Sequence, residues 1–357
     1  MRLWDLPGAR RFVDSICNPL RGGSSVVVVF PGSVPDGFET AVTTNLGDIL
    51  DIGKLTCTAS PLRDLAQRYA TNPDHITGLP DLCDDSGFQG RLVKLHGLDA
   101  SIWPTWRDFL RRYAEASRLQ PLLGRSLFLV LLSGFPPPEP PPAEIALAVY
   151  AWDGVLDDID LILFAAERLR EREDNALLRS LLATTVARVA AWDFDAAAAM
   201  VAEDNGTIMN PHELLRAMAA DKSWAEDTPL DWRIGTASKA GVAHPARAVL
   251  DEAHAELDRR LWSAQLSVLL PWIEMRRHST VADNLYEVKR HMRADGDGQG
   301  DPFALELGDL ARLFDRRGVD RQVRKTVRRL RDVRNKLAHR RSVPHSAVLD
   351  LIAFSKS

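Results

Sequence analysis

Three residues near the C-terminus have the types and spacing to do chemistry: Arg334, Asn335 and His339, inside "RDVRNKLAHRR" (331–341). Arginine supplies a permanent planar cation that grips an oxyanion through two parallel hydrogen bonds. Histidine titrates near neutral pH and serves as general acid or base. The surroundings suit a polyanion. Residues 312–341 carry thirteen Lys and Arg against three Asp, a local balance of +10 in a chain whose net charge is -4. Arg328, Arg331, Lys336, Arg340 and Arg341 are the candidates to hold a nucleic-acid backbone through salt-sensitive phosphate contacts.

The pattern predicts one long helix over 319–339. Advancing ~100° per residue, Val319, Val323, Val327, Leu330, Val333 and Leu337 form a narrow apolar stripe, and Arg334 projects inside it. An arginine on a buried face needs a partner or a site. An ion pair with an acid such as Glu306 is one solution; a cleft between two copies of the chain is the other. His339 lies ~140° further around. It shares a face with Arg334 only if the helix loosens at its end or two copies meet. The helix terminus favours an imidazolium and the flanking arginines oppose it, which would hold the ring near neutrality.

"RNKLAH" on a late helix of an all-helical region resembles the Arg-x4-6-His motif of the HEPN family, over residues 245–357. The resemblance implies a metal-independent endoribonuclease acting as a homodimer through its C-terminal domain. Arg334 would stabilise the pentacoordinate phosphate, His339 would move protons at the 2'-OH or leaving oxygen, and Asn335 would position one of them. It also implies a toxin or antiphage-defence setting, with an antitoxin or another defence subunit as partner. The alternatives are an inactive HEPN module that dimerises or holds RNA, and a nucleotide-sensing regulatory protein.

A second constellation lies at "VVVVFPGSVPDGFETAV", where Gly32 and Gly37 sit between an apolar run and a helical stretch. Gly-x4-Gly in that setting resembles the phosphate-binding loop of P-loop ATPases, including their AAA-like and signalling branches, over the first 235 residues. That resemblance implies ATP bound at Gly32, Gly37 and Thr40. The departures argue against hydrolysis: Phe38 stands at the lysine position, Glu39 at the magnesium ligand, and Thr40 falls one place late. His96 replaces an expected acid, with Asp99 beyond it, and Ser133 would close the next strand. Asp153, Asp157 and Asp160 have the spacing of one helix face, but read as first-turn acids favoured by the helix dipole more than as a metal site.

The elements that position these residues follow from periodicity. β-branched and apolar runs at 24–30, 91–97, 126–134 and 145–152 predict strands, with a helix at 101–119 between them. Alternation of the two predicts an α/β domain with a mainly parallel sheet over 1–154. The proline run 135–142 predicts a stiff loop. A helical, lid-like segment is expected over 155–240, then an all-α bundle over 245–357. Leu250, Ala253, Leu257, Leu261, Ala264 and Val268 form a helical stripe that Pro271 should break or kink, and 294–301 reads as a loop. Three scattered cysteines and no apolar run near ~20 residues predict a cytoplasmic protein without a membrane segment. No metal and no cofactor are expected to be needed for cleavage.

Overall fold

The computed structural model describes residues 1–47, 51–121, 124–135, 147–251, 254–294, 300–315 and 320–354. Val319, Ala253 and most of the expected loops at 135–142 and 294–301 lie outside them. The chain forms two compact units, each built from two stretches of sequence: Met1–Asp157 with Thr228–His244, and Asp158–Asp227 with Pro245–Ser357.

The first unit runs α1 (Pro7–Arg21), β1 (Ser25–Phe30), α2 (Phe38–Leu46), β2 (Asp51–Thr56), α3 (Pro61–Tyr69), α4 (Leu79–Asp84), β3 (Arg91–His96), α5 (Trp103–Ala116), β4 (Leu127–Ser133) and β5 (Leu147–Ala151). The strands form one five-stranded sheet in the order β2-β3-β4-β1-β5, and every pairing is parallel. Each residue of β1 is buried, as a central strand covered on both faces must be. One face packs a core of Val27, Val93, Phe128, Phe109, Tyr113 and the fully buried Trp106, whose indole N–H donates to the Thr58 carbonyl at 2.8 Å. β2 was not anticipated. "DIGKLT" is short and mixed in polarity, because an edge strand is buried less than a central one.

The returning segment Thr228–His244 belongs to this unit and is pinned at three points. Trp232 is buried in the sheet's core, the Arg233 carbonyl accepts the Gly32 N–H at 3.0 Å, and Asp153 accepts the Lys239 N–H at 3.0 Å. Asp153 is therefore a loop residue. The next helix begins only at Asp158, so Asp153, Asp157 and Asp160 do not share a helix face as their spacing suggested.

The second unit contains α6 (Asp158–Leu169), α7 (Ala176–Ala190), α8 (Phe194–Ala202), α9 (Asn205–Met209), α10 (His212–Asp221), α11 (Pro245–Ala248), α12 (Ala255–Asp283), α13 (Leu285–Ala294), α14 (Leu307–Phe314), α15 (Arg321–Ala338) and α16 (His345–Phe354). The helices before residue 228 do not stand apart as a lid. α7 packs along α12, and the buried Arg260 of α12 donates to the Val189 carbonyl of α7 at 3.1 Å while pairing with Glu256 at 2.9 Å. α12 also continues through Pro271, contrary to the expected break. Leu257, Leu261, Leu269 and Ile273 bury its inner face on both sides of the proline. Packing of that face offsets the one backbone hydrogen bond a proline removes.

Phe38, the residue that follows Gly37, serves the core. It is fully buried, with Trp4, Phe30 and Phe12 ring centroids 5.4, 5.0 and 6.3 Å away. Placing a charge there with Phe38→Lys is expected to cost ~3 kcal/mol or more and to confer no ATP affinity. Urea unfolding followed by tryptophan fluorescence measures it; an unchanged midpoint would refute the role given to the aromatic cluster.

Candidate functional site

α15 forms because Asp320 caps its first turn, accepting the Gln322 N–H at 2.6 Å, and because Val327, Leu330, Val333 and Leu337 bury one stripe against α12, α14 and α16. Val323, at the open end of the stripe, is half-buried.

Arg334 lies beside this stripe with its side chain 40% exposed, and its nearest acid is Glu306 at 3.5 Å. Of the two solutions the sequence left open, one chain by itself takes the ion pair. That pair is weak: Glu306 is 72% exposed, and exposed pairs contribute under ~1 kcal/mol. Arg334 also approaches the Asn335 carboxamide oxygen at 3.5 Å. Asn335 and His339 are exposed. The His339 backbone N–H closes the helix on the Asn335 carbonyl at 3.0 Å. Among the described residues, no side-chain hydrogen bond or ion pair joins the His339 ring to Arg334 or Asn335, and for Arg334 the ~140° offset on the helix requires this.

The helix ends tightly. The Arg340 N–H donates to Leu337 at 3.1 Å and the Arg341 N–H to Lys336 at 3.0 Å, the two backbone bonds of a Schellman turn. The turn puts Arg340 at φ 55°, a left-handed conformation usually left to glycine and costing a side-chain-bearing residue ~1–2 kcal/mol. Strain of this kind is concentrated at functional positions.

The basic residues divide into two groups. Arg328 pairs with Asp315 at 2.6 Å and Arg331 with Asp332 at 3.1 Å, so both are engaged by carboxylates. Lys336, Arg340 and Arg341 are exposed and have no acid partner among the described residues. Uncompensated charge thus collects at the end of α15, around His339.

What fixes that end comes from α12. Trp262 donates its indole N–H to the Leu337 carbonyl at 2.7 Å. Gln265 is fully buried and grips both sides of Val343: its Oε1 accepts the Val343 N–H at 2.6 Å, and its Nε2 donates to the Val343 carbonyl at 3.0 Å. Sequence reasoning missed both residues. Gln265 left a signal, since it stands four residues after Leu261 on the apolar face of α12.

The glycine loop does not form the expected phosphate cradle. Gly32 and Gly37 adopt φ 67° and 77°, as a tight turn needs, but the Gly32 N–H is spent on Arg233. Trp4 covers Gly37 and donates to the Asp36 carbonyl at 2.7 Å. Thr40 is exposed. Glu39 instead pairs with Lys94 of β3, which is buried and held below the usual lysine range by desolvation. His96 and Ser133 end their strands as expected. Asp99 closes a local turn, with its carboxyl kept below the usual range by the Ser101 hydroxyl and the Ser101 and Ile102 N–H groups.

Cys17, Cys57 and Cys83 are free, buried thiols, pushed up to about 11, 12 and 11 by burial. Among the described residues, no group of three or more His, Cys, Asp or Glu is placed to hold a metal ion, and no helix is long and apolar enough to cross a membrane. Comparison of the chain with protein-family models and with curated proteins finds no match.

Replacing Gln265 with alanine would leave the Val343 N–H and C=O buried without partners, at a cost of ~2–4 kcal/mol. Urea unfolding and faster hydrogen exchange at the Val343 amide would report it; a loss below ~0.5 kcal/mol would show that the clasp is dispensable.

Proposed function

We propose that this protein is a metal-independent endoribonuclease of HEPN type, with the end of α15 as its phosphate-handling surface. One observation carries the reading. A titratable exposed imidazole, His339, is surrounded by the cations that no carboxylate neutralises, and it adjoins a strained arginine. In the cleavage step the 2'-OH attacks the neighbouring phosphorus and gives up its proton. The 5'-oxygen leaves with a proton, and a 2',3'-cyclic phosphate remains. His339 carries one of these protons, and Arg334 clamps the equatorial oxygens once phosphate displaces the weak Glu306 contact. Asn335 orients the arginine it already approaches.

Because Arg334 and His339 do not meet within one chain, the site is composite: each copy in a homodimer contributes one of the two. This arrangement fits an effector in toxin or antiphage defence whose activity a partner subunit or the first unit restrains. The same separation also favours a second reading, an inactive module that dimerises and holds RNA.

His339→Ala is expected to lower cleavage by ~10²–10⁴ while leaving RNA binding intact, and Arg334→Lys to impair it strongly. Activity should persist in EDTA. Mixing Arg334→Ala and His339→Ala subunits should restore roughly a quarter of wild-type activity, since half the dimers are mixed and each has one intact site. Alanine at Lys336, Arg340 or Arg341 should each flatten the salt dependence of binding by ~0.7, with smaller effects from Arg328→Ala and Arg331→Ala. Cleavage that needs a divalent metal or survives His339→Ala would leave only the second reading; a mixture that stays inactive would remove the composite site.

A further inference from the structure

A cavity of 420 Å³ opens in the second unit, walled by the segment that follows the Arg334–His339 motif and by the α9–α10 corner. Its apolar lining comes from Met209, Leu261 and Val343, and its polar lining from Asn210, Ser342 and His345. We propose that it takes one unpaired base of the RNA strand bound at the end of α15. The inference rests on the reading of that end as an RNA site and names the form of RNA it accepts.

Size argues first. At ~30 Å³ per water, the volume equals roughly fourteen waters, more than a lone phosphate fills. It falls within the range of small-ligand pockets, and its mix of apolar walls with a few polar groups suits a flat ring bearing hydrogen-bonding edges. No carboxylate is among its lining residues; the nearest, Asp258 and Asp204, stand behind it, engaged by His212 and by the Gly206 N–H.

The polar groups are also set to read an edge. His212 donates from Nδ1 to the Asn210 carboxamide oxygen at 2.7 Å, and its own Nε2 faces Asp258 at 3.4 Å. With its oxygen taken, Asn210 has its NH2 donors left for an acceptor-bearing base edge. His345 adds a half-buried imidazole to the same lining.

Distance completes the case. Ser342 is three residues beyond His339, so their Cα atoms are at most ~11 Å apart. Arg340 and Arg341, exposed and without acid partners, occupy the interval. A strand crossing those two cations can place a phosphate at His339 and a nearby base in the cavity. The wall it meets is rigid, because the Gln265 clasp holds Val343 and Pro344 follows. Pre-organisation of this kind saves the ordering cost of binding.

The test compares affinities of the full-length His339→Ala protein, which does not consume its ligand, for three labelled RNA probes of equal length: a single strand, the same strand with abasic sites, and a duplex. The intact single strand is expected to bind roughly five- to a hundredfold more tightly than the abasic strand, with a similar salt slope. Adding Ser342→Trp, an exposed position whose indole would fill the cavity, should erase that advantage, and Asn210→Ala should reduce it without altering thermal stability. Equal affinity for intact and abasic strands, or an advantage that survives Ser342→Trp in a folded protein, overturns the base pocket while His339-dependent cleavage keeps the nuclease reading. Failure to bind any of the three probes overturns both.

Discussion

The second unit depends on a buried carboxamide doing the work of a neighbouring strand. Gln265 satisfies the N–H and the C=O of Val343, a residue 78 positions away in sequence. Without it, the chain after α15 would be an irregular segment buried with unmet backbone groups, which folded proteins avoid. With it, the segment is fixed to α12, and Trp262 fixes the last turn of α15 in the same way. The position of His339 and the strained turn at Arg340 follow from these two contacts. So does the cavity wall formed by Ser342, Val343 and His345. The candidate chemistry resides on exposed residues, but its precision comes from buried residues on another helix.

The first unit illustrates the opposite use of a site-like pattern. Its glycine loop makes a tight turn with two left-handed glycines, but Phe38, Glu39 and the Gly32 amide around it are turned inward or occupied. Phe38 joins an aromatic cluster, Glu39 meets Lys94 of β3, and the Gly32 amide is bonded to the returning segment. Turn geometry alone is cheap for glycine and compatible with many roles. Side chains decide which role is taken, and here they consolidate a core.

Much of this was legible in the sequence, for identifiable reasons. The central strands and α15 were visible because burial on two faces, or on one stripe, leaves strong periodic signals. Glu306 as a partner for Arg334 was visible because a charge in an apolar stripe demands compensation. What stayed hidden depended on contacts between distant segments. β2 is an edge strand whose polarity follows solvent exposure. α12 survives Pro271 because of packing that only the assembled helices provide. Gln265 showed its place on the apolar face of α12, but its partner, Val343, lies 78 residues away. The cavity has no local signature, since its walls come from residues 206–212, 261 and 342–346. The union of the helices before residue 228 with those after 245 was equally invisible, since it rests on contacts such as Arg260 with Val189.

The chain leaves the sheet unit at residue 157, returns for Thr228–His244, and leaves again, so both units are interleaved along the polypeptide. On the ribosome, order of synthesis becomes part of the design. The sheet is fully made at Ala151, but Trp232, which is buried in its core, follows some eighty residues later, a delay of roughly 4–16 s at ordinary elongation rates. The early helices wait longer still, until α12 and α16 emerge to cover α7 and α9. A nascent chain interrupted anywhere before residue 334 therefore carries neither Arg334 nor His339, and its helical unit is unfinished. The Arg334–His339 motif is thus complete only once translation has passed α15.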